Sequence, residues 1–260
     1  MKNTKTVLFV TGAFVHNNCW DNWTAYFEQQ GYKTLAPAWP FKEAPNAATL
    51  RNRQPNDLGL ARLTLEELVD HYADVAKSLS EKPIIIGHSL GGLITQILVS
   101  RGLAEKAIAI HPVPPQGIIP YEWSFLKSTW RALGLFTPVD KTYLMSFETF
   151  QYAFVNGMPL AEQKKIYDSS TVPESKRVAR GGLTSAARVD FNQEHAPLLI
   201  TAGDQDHIIP AHLNLRNFKR YKKNNSVLEY KEFKGRNHFV LGQPIWKEDA
   251  DYILNWLSQH

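Results

Sequence analysis

The stretch Pro83-Ile84-Ile85-Ile86-Gly87-His88-Ser89-Leu90-Gly91-Gly92 narrows what this chain can fold into more than any other. Its consecutive isoleucines suit a strand covered on both faces. The residues from Leu90 to about Arg101 read as a helix that follows at once. So abrupt a turn from strand to helix strains the backbone of Ser89, and small residues two positions to either side, Gly87 and Gly91, prevent clashes in the turn. The spacing is G-x-S-x-G. It leaves the serine hydroxyl exposed above the strand end, beside a helix N-terminus whose dipole favours developing negative charge.

The rest of the chain repeats the alternation of short apolar runs with longer amphipathic ones. Thr6–Val10, Tyr32–Ala36, Ala107–Ile110, Pro197–Ala202 and Val227–Phe233 read as further strands. Asp21–Gln30 and Gln243–Gln259 read as helices, and a third begins at Thr64 with the capping box Thr64-Leu65-Glu66-Glu67. Residues 37–62, rich in Pro, Asn and Ala, read as a long surface loop. Strands alternating with helices predict an α/β fold, a doubly wound and mostly parallel sheet.

From Pro112 to Glu194 the rhythm breaks. Helical stretches are predicted at Glu122–Leu135, Ser146–Asn156, Leu160–Asp168 and Glu174–Leu183, with no good strand among them. The interval is far too long for an ordinary crossover. It reads as an inserted helical cap, residues 112–194, on a core made of residues 1–111 and 195–260.

Bulk properties exclude more than they assign. Lys plus Arg number 29 against 25 Asp plus Glu, a formal net charge of +4, which does not point to nucleic acid. The basic run Arg216–Lys223 reads as the solvated face of a helix. The single cysteine, Cys19, cannot form an internal disulfide and gives no sign of an oxidising compartment. No apolar run approaches the roughly 20 residues of a membrane span. Met1–Lys5 followed by Thr6–Val15 only faintly imitates a signal peptide and reads as a buried strand, so a cytoplasmic protein is expected. Oligomeric state leaves no mark on the sequence.

A serine hydroxyl needs a base to take its proton. In the elbow topology an acid and then a base follow it in the chain. After the strand ending at Ala202 stand Asp204 and Asp206, and after the last strand stands His238, each beyond the carboxyl end of a strand. His88 is expected to pack beside its strand, His111 to line the pocket and His16 to lie near its mouth. His195, His207, His212 and His260 are expected to be exposed or structural. No spacing among the nine histidines suggests a metal set.

With these residues the chain resembles the capped serine esterases and lipases of the α/β-hydrolase superfamily, a set that includes lactonases and cofactor-free haloperoxidase-like perhydrolases. The resemblance spans the whole chain, although caps are too variable to be diagnostic. It implies Asp206 as the acid, because Gly203, Asp206 and Pro210 match G-x-x-D-x-x-x-P, and His238 as the base, because Gly235 and His238 match G-x-x-H. It implies an oxyanion hole made by the main-chain N–H groups of Leu90 and Ala13. Thr11 stands where the family often has histidine, which leaves the backbone donor intact. The expected activity is hydrolysis of a small-molecule ester through an acyl-enzyme, without cofactor or metal. Phe14, His111, Trp123, Phe150, Phe154 and Phe239 are the candidate substrate contacts. A lactonase or a perhydrolase would use the same triad. An epoxide hydrolase or dehalogenase would need a carboxylate where Ser89 stands, and a hydroxynitrile lyase a lysine where Phe239 stands. A non-catalytic small-ligand receptor on this fold would usually show a broken triad, and none is broken here.

Overall fold

The computed structural model describes residues 5–260, so Met1–Thr4 of the N-terminal stretch lie outside the described residues. Strand β1 (Thr6–Val10) is followed by α1 (Asp21–Gln29), β2 (Lys33–Leu35), α2 (Ala47–Arg51), α3 (Leu58–Arg62), α4 (Leu65–Ser78), β3 (Ile84–His88), α5 (Leu90–Ser100) and β4 (Lys106–Ile110). Between β4 and β5 come α6 (Trp123–Leu133), α7 (Phe147–Ala153), α8 (Leu160–Ser170) and α9 (Lys176–Gly181). The chain ends with β5 (Leu198–Gly203), α10 (Ala211–Arg220), β6 (Leu228–Phe233) and α11 (Trp246–Gln259).

Among the described residues six strands form one sheet in the order β2-β1-β3-β4-β5-β6, every neighbouring pair parallel. Alternate side chains serve two cores, as the strand's two-residue period requires. Phe9, Ile84, Ile86, Ile108 and Leu199 pack against Trp23 and Phe27 of α1 and Ile253 and Trp256 of α11. Leu8, Val10, Ile85, Ala107, Ala109 and Ile200 face the opposite core, with α4, α5 and the β4–β5 insertion. Small alanines in β4 suit the close seat of α5, which is buried along nearly its whole length.

The capping box at α4 is present as the sequence predicts, with Thr64 accepting the Glu67 N–H and Glu67 accepting the Thr64 N–H. The stretch 37–62 differs from expectation, because it contains α2 and α3. Each has five residues, too few for a periodic signal. Each is started by a side chain that accepts an N–H three residues on, Asn46 from Thr49 and Asp57 from Leu60. Among the described residues no helix is long and apolar enough to cross a membrane.

Strand order reverses between β1 and β3, the position where open α/β sheets form a crevice at their carboxyl edge. Ala13 follows β1 and Ser89 follows β3. His111, Asp206 and His238 follow β4, β5 and β6, so every candidate of the proton relay sits along one edge.

Candidate active site

Ser89 has φ +58 and ψ −119, a left-handed conformation that a non-glycine residue takes only when its surroundings fix it. Its N–H donates to Ile110 O at 2.9 Å, and its carbonyl accepts the Val113 N–H at 3.0 Å, so β4 and its continuation hold the turn. A Cβ at Gly91 would lie 2.0 Å from Val10 O, which explains why the residue two beyond the serine carries no side chain.

His238 Nε2 lies 2.9 Å from Ser89 Oγ, and His238 Nδ1 lies 2.7 Å from Asp206 Oδ2. Asp206 is buried, and burial alone would raise its carboxyl. The positive charge available at His238 and the hydrogen bonds from His111 and His238 outweigh this and hold it well below the usual carboxylate range. Asp206 therefore stays ionised and can only accept. Both imidazoles facing it must carry their proton on Nδ1, which leaves His238 Nε2 free to accept from Ser89 Oγ.

The loops carrying Asp206 and His238 are bound to each other. The Gln205 N–H donates to Arg236 O at 3.0 Å, and a Cβ at Gly203 would come within 2.3 Å of that same oxygen. Arg236 in turn pairs with Asp249 at 2.8 Å and Glu248 at 2.7 Å, which ties the His238 loop to α11. Asp204 lies outside the relay. It is exposed and accepts the Gly235 N–H at 2.7 Å.

His111 differs from its expected place. It is fully buried beneath the site, and its Nδ1 lies 2.9 Å from Asp206 Oδ2, the oxygen that also meets His238. His88 is buried beside them, and its Nε2–H donates to His238 O at 2.8 Å. Burial, with the neighbouring His238 and His111, holds the His88 imidazole well below its usual value, so it stays neutral. His16 does not border the cavity either. It caps a short 3-10 turn and bonds Ala44 O. Spacing along the chain suggests no metal set, yet the fold gathers His111, Asp206 and His238 with potential ligand atoms within 4.8 Å of one another. In the hydrogen-bonded state both Nδ1 atoms carry protons, so neither has a lone pair for a metal.

A cavity of about 300 Å³ opens at Ser89. Among the described residues no charged side chain borders it, and the few polar ones are Ser89, Gln116, Ser128 and Thr129. Ala13, Leu90, Phe14 and Phe154 border it. Phe154 stands edge-on to His238, with ring centroids 4.9 Å apart. Phe150 and Phe239 do not border it. Phe150 stacks on the back of Phe154 at 4.7 Å, and Phe239 packs behind Phe150. Trp123 does not border it either, being 77% exposed. Phe125, Ser128, Thr129 and Ala132 share the inward side of α6, and a period of 3.6 residues puts Trp123 on the other side. Sequence reasoning missed Ile208 and Ile209, which follow Asp206 directly, and the proline-rich segment 113–120. The run of prolines after β4 was the available signal.

No protein acceptor takes the Ala13 N–H among the described residues. Leu90, as the first residue of α5, has its N–H outside the intrahelical ladder.

A family model described as the alpha/beta hydrolase family matches residues 7–246. The chain belongs to that family. A curated relative, the pyrethroid hydrolase of Sphingobium wenxiniae, is 25% identical over 196 residues, which are 64% of this chain and 62% of the relative's length. Among solved structures, an extracellular α/β-hydrolase from a Paenibacillus species superposes with a TM-score of 0.70 at 18% identity, covering 96% of this chain and 98% of that one. A monoacylglycerol lipase from Paleococcus ferrophilus gives 0.67 at 21% identity, covering 99% and 96%. At such identities the structural likeness speaks to the fold.

Proposed function

We propose that the chain is a serine hydrolase of small, uncharged carboxylic esters, with Ser89 as nucleophile, His238 as general base and acid, and Asp206 as the carboxylate that orients it. The observation that carries this reading is the unbroken relay Ser89 Oγ–His238 Nε2–Asp206, at 2.9 and 2.7 Å, opening on an apolar cavity. Likeness to a curated pyrethroid hydrolase supports hydrolysis as the reaction class.

In this mechanism His238 Nε2 takes the Ser89 proton as Oγ bonds to the carbonyl carbon. The carbonyl electrons move to its oxygen, which accepts hydrogen bonds from the Leu90 and Ala13 N–H groups. The C–O bond to the alcohol then breaks, and His238 returns the proton to the leaving oxygen. Water repeats the sequence on the acyl-enzyme, giving its proton to His238, and Ser89 leaves with that proton. Every step uses groups of this chain.

Residues 112–194 act in this proposal as a cap over the strand ends. They supply Phe154 and most of the wall around the acyl or alcohol group, and they exclude water from it. A fluorophosphonate probe tests the class, since only an activated serine reacts quickly. A graded panel of p-nitrophenyl esters and lactones tests the substrate. Rapid labelling with ester turnover supports the reading, and a wild-type chain that neither labels nor turns over any ester refutes it.

Two neighbouring phenylalanines separate pocket shape from packing. Phe154→Ala enlarges the cavity beside His238 and is expected to move the preferred acyl length upward, each added methylene rewarded by up to about 0.8 kcal/mol until the space is filled. Phe150→Ala removes a ring behind it. It is expected to cost about 3–5 kcal/mol of stability with the chain-length profile unchanged. Melting temperature and ester profile on both variants check this. A Phe154→Ala profile identical to wild type would exclude a pocket role.

A further inference from the structure

One buried ion pair joins the loops that meet beneath Ala13. Glu174, from the β4–β5 insertion, and Lys42, from the β2–α2 connection, are 2% and 3% exposed and pair through Glu174 Oε1. The same Oε1 accepts the Phe14 N–H at 2.6 Å. Lys42 Nζ also lies 3.8 Å from the centre of the Trp39 ring, and Trp39 Nε1–H donates to Thr11 O at 3.0 Å. The Thr11 N–H is accepted by the Tyr72 hydroxyl at 3.3 Å. The backbone is therefore fixed on both sides of Ala13, at Thr11 by Trp39 and Tyr72 and at Phe14 by Glu174. Lys42 touches both anchors.

Stability alone is a weak account of such a pair. Burial raises the Glu174 carboxyl and lowers the Lys42 ammonium, and their mutual attraction works against both changes. The desolvation cost of two buried charges commonly offsets what they gain from each other. What the pair does supply is a charge-assisted acceptor for one particular N–H. Phe14 sits at φ +67, a conformation that a bulky residue keeps only when it is held. With the Phe14 N–H turned into Glu174, the neighbouring Ala13 N–H is left without a protein acceptor, at a residue that borders the same cavity as Ser89.

We propose that Glu174 is the positioning residue of the oxyanion hole: by holding the Phe14 N–H, with Lys42 fixing its charge, it sets the direction of the Ala13 N–H. This rests on the serine-hydrolase reading above. It also gives the insertion a second role. The Val172 N–H donates to Phe14 O at 3.0 Å, and the His16 N–H donates to Ser170 O at 2.8 Å. Tyr143 and Glu174 exchange main-chain bonds at 2.9 and 2.8 Å, so Glu174 is held in register within the insertion itself. The segment that roofs the pocket thereby orients a donor on its floor.

Two double variants of the full chain isolate the acceptor. Lys42→Met with Glu174→Gln removes both charges and keeps a carbonyl for the Phe14 N–H. Lys42→Met with Glu174→Met removes the charges and the acceptor together, at similar volume. The glutamine pair is expected to stay within about threefold of wild-type kcat, and the methionine pair to lose about ten- to hundredfold, with KM for a p-nitrophenyl ester unchanged. An alkyl trifluoromethyl ketone adds Ser89 Oγ at its carbonyl carbon and places an oxyanion in the hole. Its inhibition constant is expected to weaken by the same factor as kcat falls.

A merely structural role moves melting temperature instead, and leaves the ratio of ketone affinity to KM as in wild type. Equal kcat in the two double variants, both folded by circular dichroism, overturns the proposal. If the methionine pair does not fold, Glu174→Asp in the native background retracts the carboxylate and is expected to show the same split of kcat from KM. Unchanged kcat there overturns it equally. A wild-type chain that fails to label or turn over defeats the serine-hydrolase reading, whereas an active wild type without the split defeats only the role of Glu174.

Discussion

Replacing Ser89 by alanine is expected to lower ester turnover by about a millionfold while leaving the fold in place. The serine sits 2.9 Å from His238 Nε2, and among the described residues no other hydroxyl in the cavity has such a partner. Ser128 donates to His207 O at 3.4 Å and Thr129 to Phe125 O at 2.8 Å, so neither is activated. Residual turnover would come from the backbone donors and from substrate positioning. Stability should change little, because the backbone of residue 89 is fixed by Ile110 and Val113 through main-chain bonds that alanine retains. Alanine meets the same strain at φ +58 as serine does, so the substitution neither relieves nor adds it. Ser89→Gly provides the contrast, since glycine tolerates that φ freely and should be the more stable of the two variants without recovering activity. The check is turnover of a p-nitrophenyl ester together with fluorophosphonate labelling and a melting curve. Turnover near wild type in Ser89→Ala, with the fold intact, would remove Ser89 from the mechanism.

The parts of this molecule legible in the sequence are those whose cause lies within about ten residues. The triple isoleucine of β3 announces a strand buried on both faces because a doubly covered strand needs no polar side. The Thr64 capping box is visible because its bonds span three residues. Gly203 and Asp206 lie together in one turn, whose glycine lets the His238 loop approach. What could not be read depends on contacts across long stretches of chain. His111 and Asp206 are 95 residues apart, and Lys42 and Glu174 are 132 apart, in segments without periodicity. The aromatic density of the insertion was plain, but density has no direction. Trp123 turned outward and Phe154 inward, and only the packing of α6 and α7 against neighbouring elements decides which. The Thr11 departure is answered in the same way. The loop proposed to hold the oxyanion takes its support from Trp39, Tyr72 and Glu174, none of them near it in sequence.

Asp206→Asn is expected to cost about ten-thousandfold in kcat, and Asp204→Asn less than about tenfold. The carboxylate of Asp206 meets four donors. Oδ1 accepts the Ile208 and Ile209 N–H groups, each at 2.8 Å, and Oδ2 accepts from His111 and His238. An asparagine has one acceptor oxygen and one amide nitrogen. If its oxygen keeps the two backbone donors, its NH₂ group faces the two imidazoles. His238 must then shift its proton from Nδ1 to Nε2 in order to accept, and an Nε2 that already carries a proton cannot take one from Ser89. Asp204 needs only to accept the Gly235 N–H, which an amide oxygen does equally well.

The stability effect has a defined sign. The Asp206 pKa is depressed by folding, so its contribution is fully present above the ordinary carboxylate value of about 3.9 and is lost as pH falls toward the lower folded value. The melting-temperature gap between wild type and Asp206→Asn should therefore be wide at about pH 5 and should narrow below about pH 4. Kinetics at neutral pH and melting curves at about pH 5 and about pH 3 check the two halves of the prediction. A larger kinetic loss in Asp204→Asn than in Asp206→Asn would move the acid two positions along the chain, and a gap that widens in acid would show that Asp206 is not the carboxylate held ionised by these four donors.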